Sequence, residues 1–197
     1  MGQWTLKLKN ILLIGASTGG PGRLHSILEQ LPSDFLPAIV IAQHMGSPFI
    51  PSFVKQLSSV SSLKVLRVCD GMELELSSVY ICSGECRLVE QEGRIYFIHN
   101  EYSSLPYTPD IDTLLFSAAE LSKSIRKMGV ILSGIGDDGA KGAKALFDAG
   151  GICMFESEES ATVYGMPRCA IELVPQADTG AMTQIITAMK HFGEKSV

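Results

Sequence analysis

Short apolar runs alternate with helix-spaced segments along most of this chain. Ile11–Ile14, Ala38–Ala42, Lys64–Val68 and the runs at 129–133 and 152–155 read as strands. Between them, Leu24, Ile27, Leu28 and Leu31 recur at helical spacing, and Pro21 suits the first helical turn. Further helices are predicted around Pro48–Leu57, Asp110–Ser124, Gly139–Ala149 and Ala181–Phe192, with Gly150-Gly151 stopping the third of these. The middle differs. Val79–Cys82, Arg87–Glu90 and Arg94–Ile98 are short segments joined by polar turns, and Gln91-Glu92-Gly93 suits a hairpin loop. All three are expected in an antiparallel appendage. The remainder predicts an α/β fold: a doubly wound, mostly parallel sheet in a three-layer αβα sandwich. One domain is expected over residues 1–197, with a core from about residue 10 to about residue 192.

Composition narrows the function. A 46% hydrophobic and 19% charged chain with net charge -5 has the make-up of a soluble globular protein. It lacks the basic footprint of a general nucleic-acid binder. No apolar stretch approaches the roughly 20 residues that span a bilayer, so no membrane insertion is expected. The N-terminal Met1–Leu6 shows no targeting pattern, and the five cysteines suit reduced thiols in a cytoplasmic protein. Cys82 and Cys86 have the spacing of a metal pair, but no second Cys/His pair completes a zinc pattern, and buried thiols are the better reading.

Three predicted strands open into loops that carry chemistry. The first opens into Gly15-Ala16-Ser17-Thr18-Gly19-Gly20, the second into Gln43-His44-Met45, and the third into Gly134-Ile135-Gly136-Asp137-Asp138-Gly139. Serine, histidine and aspartate thus all follow strand C-termini, the edge where open α/β sheets bind ligands. Such a set suits nucleophilic acyl transfer. Gly15-Ala16-Ser17-Thr18-Gly19 has the G-x-S-x-G form of a strand-to-helix elbow that exposes its serine. The N–H groups that follow open a helix and suit an oxyanion. The same loop could cradle a phosphate, but it lacks the G-x-G-x-x-G spacing, and no acidic residue closes the second strand.

The other histidines are poorer bases: His25 lies on a helix, His99 ends a hairpin strand and His191 sits near the C-terminus. Of Asp137 and Asp138, one is expected to cap the following helix, leaving the other to orient a histidine. Spacing alone leaves open which. Asp110 and Asp112 read as the cap and first-turn acid of a helix rather than as metal ligands.

Together these strings resemble the catalytic domain of the bacterial chemotaxis protein-glutamate methylesterases. The resemblance runs from about Ile11 to about Leu173. It rests on Ile14–Gly20, Gln43–Met45, Tyr107–Asp112 with Ser117-Ala118-Ala119, Gly134–Ala140 and Val163–Arg168. It implies Ser17 as nucleophile, His44 as general base and Asp138 as the triad aspartate. It places Thr18 and the backbone of Ile135 at the oxyanion, and Tyr164, Met166 and Arg168 along the substrate cleft. Isoleucine at 135, Asp110 and the Cys82–Arg87 turn depart from the usual family residues.

The implied activity is hydrolysis of glutamate methyl esters on the cytoplasmic helices of chemoreceptors, with glutamine deamidation by the same machinery. No cofactor or metal is called for. Arg168 and Arg23 are candidates to dock an acidic receptor helix in an open cleft. Most family members carry an N-terminal receiver domain, whereas about ten residues precede the first strand here. The chain is read as either a free-standing esterase or an excised domain, with a receiver protein in trans as a candidate partner and a monomer as the expected state. Two alternatives stand beside this reading: a general esterase for small soluble esters, and a non-enzymatic module holding a nucleotide or anion in the Gly15–Gly20 loop.

Overall fold

Seven parallel strands form the centre of the computed structural model, which describes residues 8–102 and 107–194. The N-terminal hexapeptide read for targeting lies outside the described residues. The strands are β1 (Asn10–Ala16), β2 (Ala38–Gln43), β3 (Lys64–Arg67), β4 (Ser78–Ile81), β7 (Arg126–Ile131), β8 (Ile152–Glu156) and β9 (Asp178–Gly180). β5 (Glu85–Gln91) and β6 (Arg94–Asn100) pair antiparallel as a separate two-stranded sheet. The order across the main sheet is β3-β4-β2-β1-β7-β8-β9.

The helices are α1 (Gly20–Gln30), α2 (Ile50–Ser58), α3 (Ile111–Ala119), α4 (Ala140–Asp148), α5 (Met166–Leu173) and α6 (Met182–Glu194). Every residue of β1 is buried, and its side chains alternate between two cores. Leu12 and Ile14 pack with Leu24 of α1, Phe53 of α2 and Met189 of α6. Ile11 and Leu13 belong to the other core, with Leu114 of α3, Leu146 of α4, Ala170 of α5 and Phe97 of the hairpin. A sheet buried on both faces needs apolar residues at every position, which is why the strand runs are continuous rather than alternating.

Three expectations are corrected. Val79–Cys82 does not join the antiparallel appendage: β4 inserts between β2 and β3, parallel to both. All four of its residues are buried, as a two-faced strand requires, and the Tyr80 hydroxyl donates to Glu73 O at 3.2 Å while accepting from Glu75 N–H at 2.7 Å. The helix expected over 110–124 ends at Ala119, after which Leu121 N–H turns back to Ala118 O and the Ser122 hydroxyl accepts from Ser124 N–H. Neither Asp137 nor Asp138 caps α4 with its side chain: Gly139 stands at the cap in a left-handed conformation. The prediction also lacked α5 and β9. In α5 the apolar stripe is short, and β9 has three residues.

Candidate active site

Parallel pairing sets the level of the site. Ala16 stands beside Gln43 of β2, and Gly15 beside Ile131 of β7. Ser17 and His44 follow one residue later, on neighbouring strands roughly 4.8 Å apart. His44 N–H donates to Ala16 O at 2.9 Å, and Ser17 N–H to Ser133 O at 3.0 Å. From β1 the chain builds outward to one side through β2, then returns to add β7 on the other. The serine therefore lies at the point where the strand order reverses, where such sheets have a crevice.

The serine elbow is held from below. Gly19 adopts φ +85°, and a Cβ there would lie 2.8 Å from Thr162 Cβ and 2.9 Å from Ser133 Oγ, so only glycine fits. The Ser133 hydroxyl donates to Thr18 O at 2.7 Å and accepts from Val163 N–H at 2.9 Å. Ser133 N–H in turn donates to the fully buried Glu156 at 2.9 Å. Gln43, also buried, donates its amide to Ser17 O at 2.9 Å and to His44 O at 3.1 Å, bridging the two loops.

Asp138 is buried and fully engaged. Its Oδ2 meets His44 Nε2 at 2.6 Å and accepts from Ile111 N–H at 2.8 Å, while Oδ1 accepts from Asp112 N–H at 2.9 Å. Two otherwise unpaired donors of the α3 N-terminus thus fix the carboxylate, and that helix end favours its negative charge. Asp110 caps the same turn by accepting from Thr113 N–H at 2.6 Å. Asp112 reaches across to Gly142 N–H of α4 at 2.6 Å, and burial pushes its carboxyl up to about 6. Asp137 is exposed, and its carboxylate stands at a long 3.4 Å from the Tyr107 hydroxyl. Burial, followed by the Asp137 charge, raises that hydroxyl's pKa.

His44 offers Nε2 to the aspartate, which leaves Nδ1 unengaged by that carboxylate. Its side chain is 13% exposed, open enough to exchange a proton with a bound substrate. Thr18 and Ile135 are exposed at the loop tips, Ile135 at 63%. Tyr164 is half-buried and bridges to Gly134 in parallel register. Arg168 is exposed and pairs with Glu172 one turn along at 3.6 Å.

Two expected cleft contacts are placed otherwise. Met166 is fully buried: a Cβ added to Gly134 would lie 2.1 Å from its sulfur and 2.8 Å from Ser17 Cβ, so the methionine supports the floor beneath the serine. Arg23 is held by the buried Glu156 at 3.0 Å and by Ser160 O, and serves the scaffold instead of a docking surface. Cys82 and Cys86 are buried, the latter donating to Ser83 O at 3.4 Å, and burial raises the Cys82 thiol well above its ordinary value.

A family model for the CheB methylesterases matches residues 12–189. The chain belongs to this family. A protein-glutamate methylesterase/protein-glutamine glutaminase of Carboxydothermus hydrogenoformans is 39% identical over 169 residues, covering 83% of this chain and 48% of the relative. One from Thermotoga maritima is 39% identical over 165 residues, covering 82% and 48%. The chain spans about half the length of the curated relatives it matches. The crystal structure of the Thermotoga maritima CheB methylesterase catalytic domain superposes with a TM-score of 0.85 at 36% identity, over 92% of this chain and 97% of that one. This CheB methylesterase fold has the expected αβα layers and hairpin.

Gln43, Ser133, Glu156 and Tyr107 support the site, yet none was assigned a role from sequence. Glu156 carried a usable signal, as an acid closing an otherwise apolar strand. The partners of Gln43 and Ser133 depend on strand order, which a single sequence does not display.

Proposed function

We propose that this chain is a serine esterase that hydrolyses glutamate methyl esters on the cytoplasmic helices of chemoreceptors. The observation that carries this reading is the pairing of half-buried His44 with buried Asp138, one strand over from the half-buried Ser17 elbow. In the resting neutral imidazole, Nε2–H donates to Asp138 and Nδ1 keeps its lone pair. Ser17 Oγ attacks the ester carbonyl as Nδ1 takes its proton. The backbone N–H groups of Thr18 and Ile135 hold the tetrahedral oxyanion. His44 returns the proton to the methoxide, and methanol leaves. Water then attacks the acyl-enzyme with His44 again as base, and free glutamate and Ser17 are restored. A glutamine side chain would pass through the same steps and release ammonia.

The exposure of Thr18, Ile135 and Arg168 supports a wide cleft suited to a helix surface. Arg168 would meet the acidic side chains of such a helix. The family relatives' names support both the ester and the glutamine reactions. The reading further takes the protein to be cytoplasmic, to act as a monomer and to respond to a receiver protein in trans. No helix among the described residues is long and apolar enough to cross a membrane.

The test is a direct competition. Methyl-labelled receptor membranes should release methanol, and small soluble methyl esters should turn over at least tenfold less efficiently, on the order of one lost anchoring contact. Rapid cleavage of small esters with inert receptors would instead indicate a general esterase. Saturable nucleotide binding without hydrolysis would indicate a binding module.

A further inference from the structure

Tyr107 lies flat on the imidazole of His44, with ring centroids 5.0 Å apart and planes inclined by 3°. We infer that Tyr107 is a positioning residue for the catalytic base, an inference that rests on the triad reading above.

A hydrogen bond at Nε2 fixes one point of the imidazole. It leaves the ring free to turn about the line to Asp138, and such a turn swings the Nδ1 lone pair away from Ser17. The flat face of Tyr107 removes that freedom, because an offset stack favours parallel planes. The segment that follows the tyrosine is itself secured at two points. Thr108 O accepts from Met45 N–H at 3.3 Å, tying the tyrosine's segment to the His44 loop. Three residues further on, Asp110 opens α3, whose first two N–H groups hold Asp138. One short segment therefore sets the plane of the base and the position of its aspartate. The contact between the Tyr107 hydroxyl and Asp137 is long at 3.4 Å, so the ring, not the hydroxyl, carries the effect.

The experiment compares Tyr107→Phe, Tyr107→Leu and Tyr107→Ala in methanol release from methyl-labelled receptor membranes. Each is also tested for labelling by a fluorophosphonate, in which Ser17 Oγ bonds to phosphorus, fluoride leaves and the proton passes to His44. Labelling reads the serine–histidine pair without any receptor. Tyr107→Phe should stay within about twofold of the parent, whereas Tyr107→Leu and Tyr107→Ala should lose about tenfold in kcat and in labelling rate, the size of an aromatic-pair contribution. KM should be unchanged. Leucine keeps apolar bulk, so it remains informative if the alanine variant unfolds.

A raised KM with unchanged kcat would make Tyr107 a docking contact and overturn the inference. Equal losses in the phenylalanine and leucine variants would assign the effect to the hydroxyl and overturn it too. If the parent labels but releases no methanol, the receptor reading fails, and the labelling rates still decide the role of Tyr107.

Discussion

His44 Nε2 lies 2.6 Å from Asp138 Oδ2, and the same carboxylate accepts two backbone N–H groups from the start of α3. The histidine is therefore anchored to a helix end, through an aspartate that cannot swing away without leaving both amides unpaired. In the proposed mechanism this orientation leaves proton transfer with Ser17 to Nδ1.

Asp138→Asn should lower kcat by roughly four orders of magnitude, since the amide no longer holds the reactive tautomer. Asp137→Asn should lie within about threefold of the parent, in line with an exposed surface change. Methanol-release kinetics on the two purified variants check this, and reversed effects would reassign the triad aspartate.

Gly134 touches the back of Ser17. A Cβ there meets Met166 sulfur at 2.1 Å and Ser17 Cβ at 2.8 Å, so Gly134→Ala must displace Ser17, Met166 or both. Activity should fall by about a hundredfold, the usual result of an ångström-scale misplacement. Stability should drop by about 1–3 kcal/mol through overpacking. Shortening Met166 to leucine in the same chain should recover part of the stability, as read by denaturant unfolding.

Arg23 neutralises the buried Glu156, whose oxygens also hold Ser133 N–H and the Ser160 hydroxyl. Arg23→Met would strand that carboxylate and should destabilise the fold by about 3–5 kcal/mol. Removing both charges with Glu156→Gln as well should recover much of the loss. Denaturant midpoints of the two single variants and the double variant measure the coupling.

The strand–helix alternation was readable because the chemistry-bearing loops follow continuous apolar runs. Ser17, His44 and the Asp137-Asp138 pair could each be placed at a strand end, and only the family resemblance singled out Asp138. Val79–Cys82 was misread because its buried run stands directly before a true hairpin, joined to it by a short polar turn. The role of Met166 was hidden for a different reason. Its neighbour Gly134, whose carbonyl accepts from Met166 N–H at 2.9 Å, lies 32 residues away in sequence. Arg23 looked like a docking charge because Glu156, its partner 133 residues away, is visible only in the folded chain.

Asp112 makes stability depend on pH. Its folded pKa of about 6 lies above the ordinary value of 3.8, chiefly because it is partly buried. A carboxyl raised in this way contributes its full stability below the unfolded value and loses it as pH rises through the folded one. Asp112→Asn keeps an acceptor for Gly142 N–H but cannot ionise. Its melting temperature relative to the parent should therefore rise between about pH 4 and about pH 7. A constant difference across that range would show that Asp112 does not titrate there.

Methanol release from methyl-labelled chemoreceptor membranes, measured for the parent chain and for Ser17→Ala, tests the central claim most directly. The account predicts steady release by the parent and none above background from a variant that unfolds at the same temperature. Equal release from both would remove Ser17 as the nucleophile, and with it the triad assigned to His44 and Asp138.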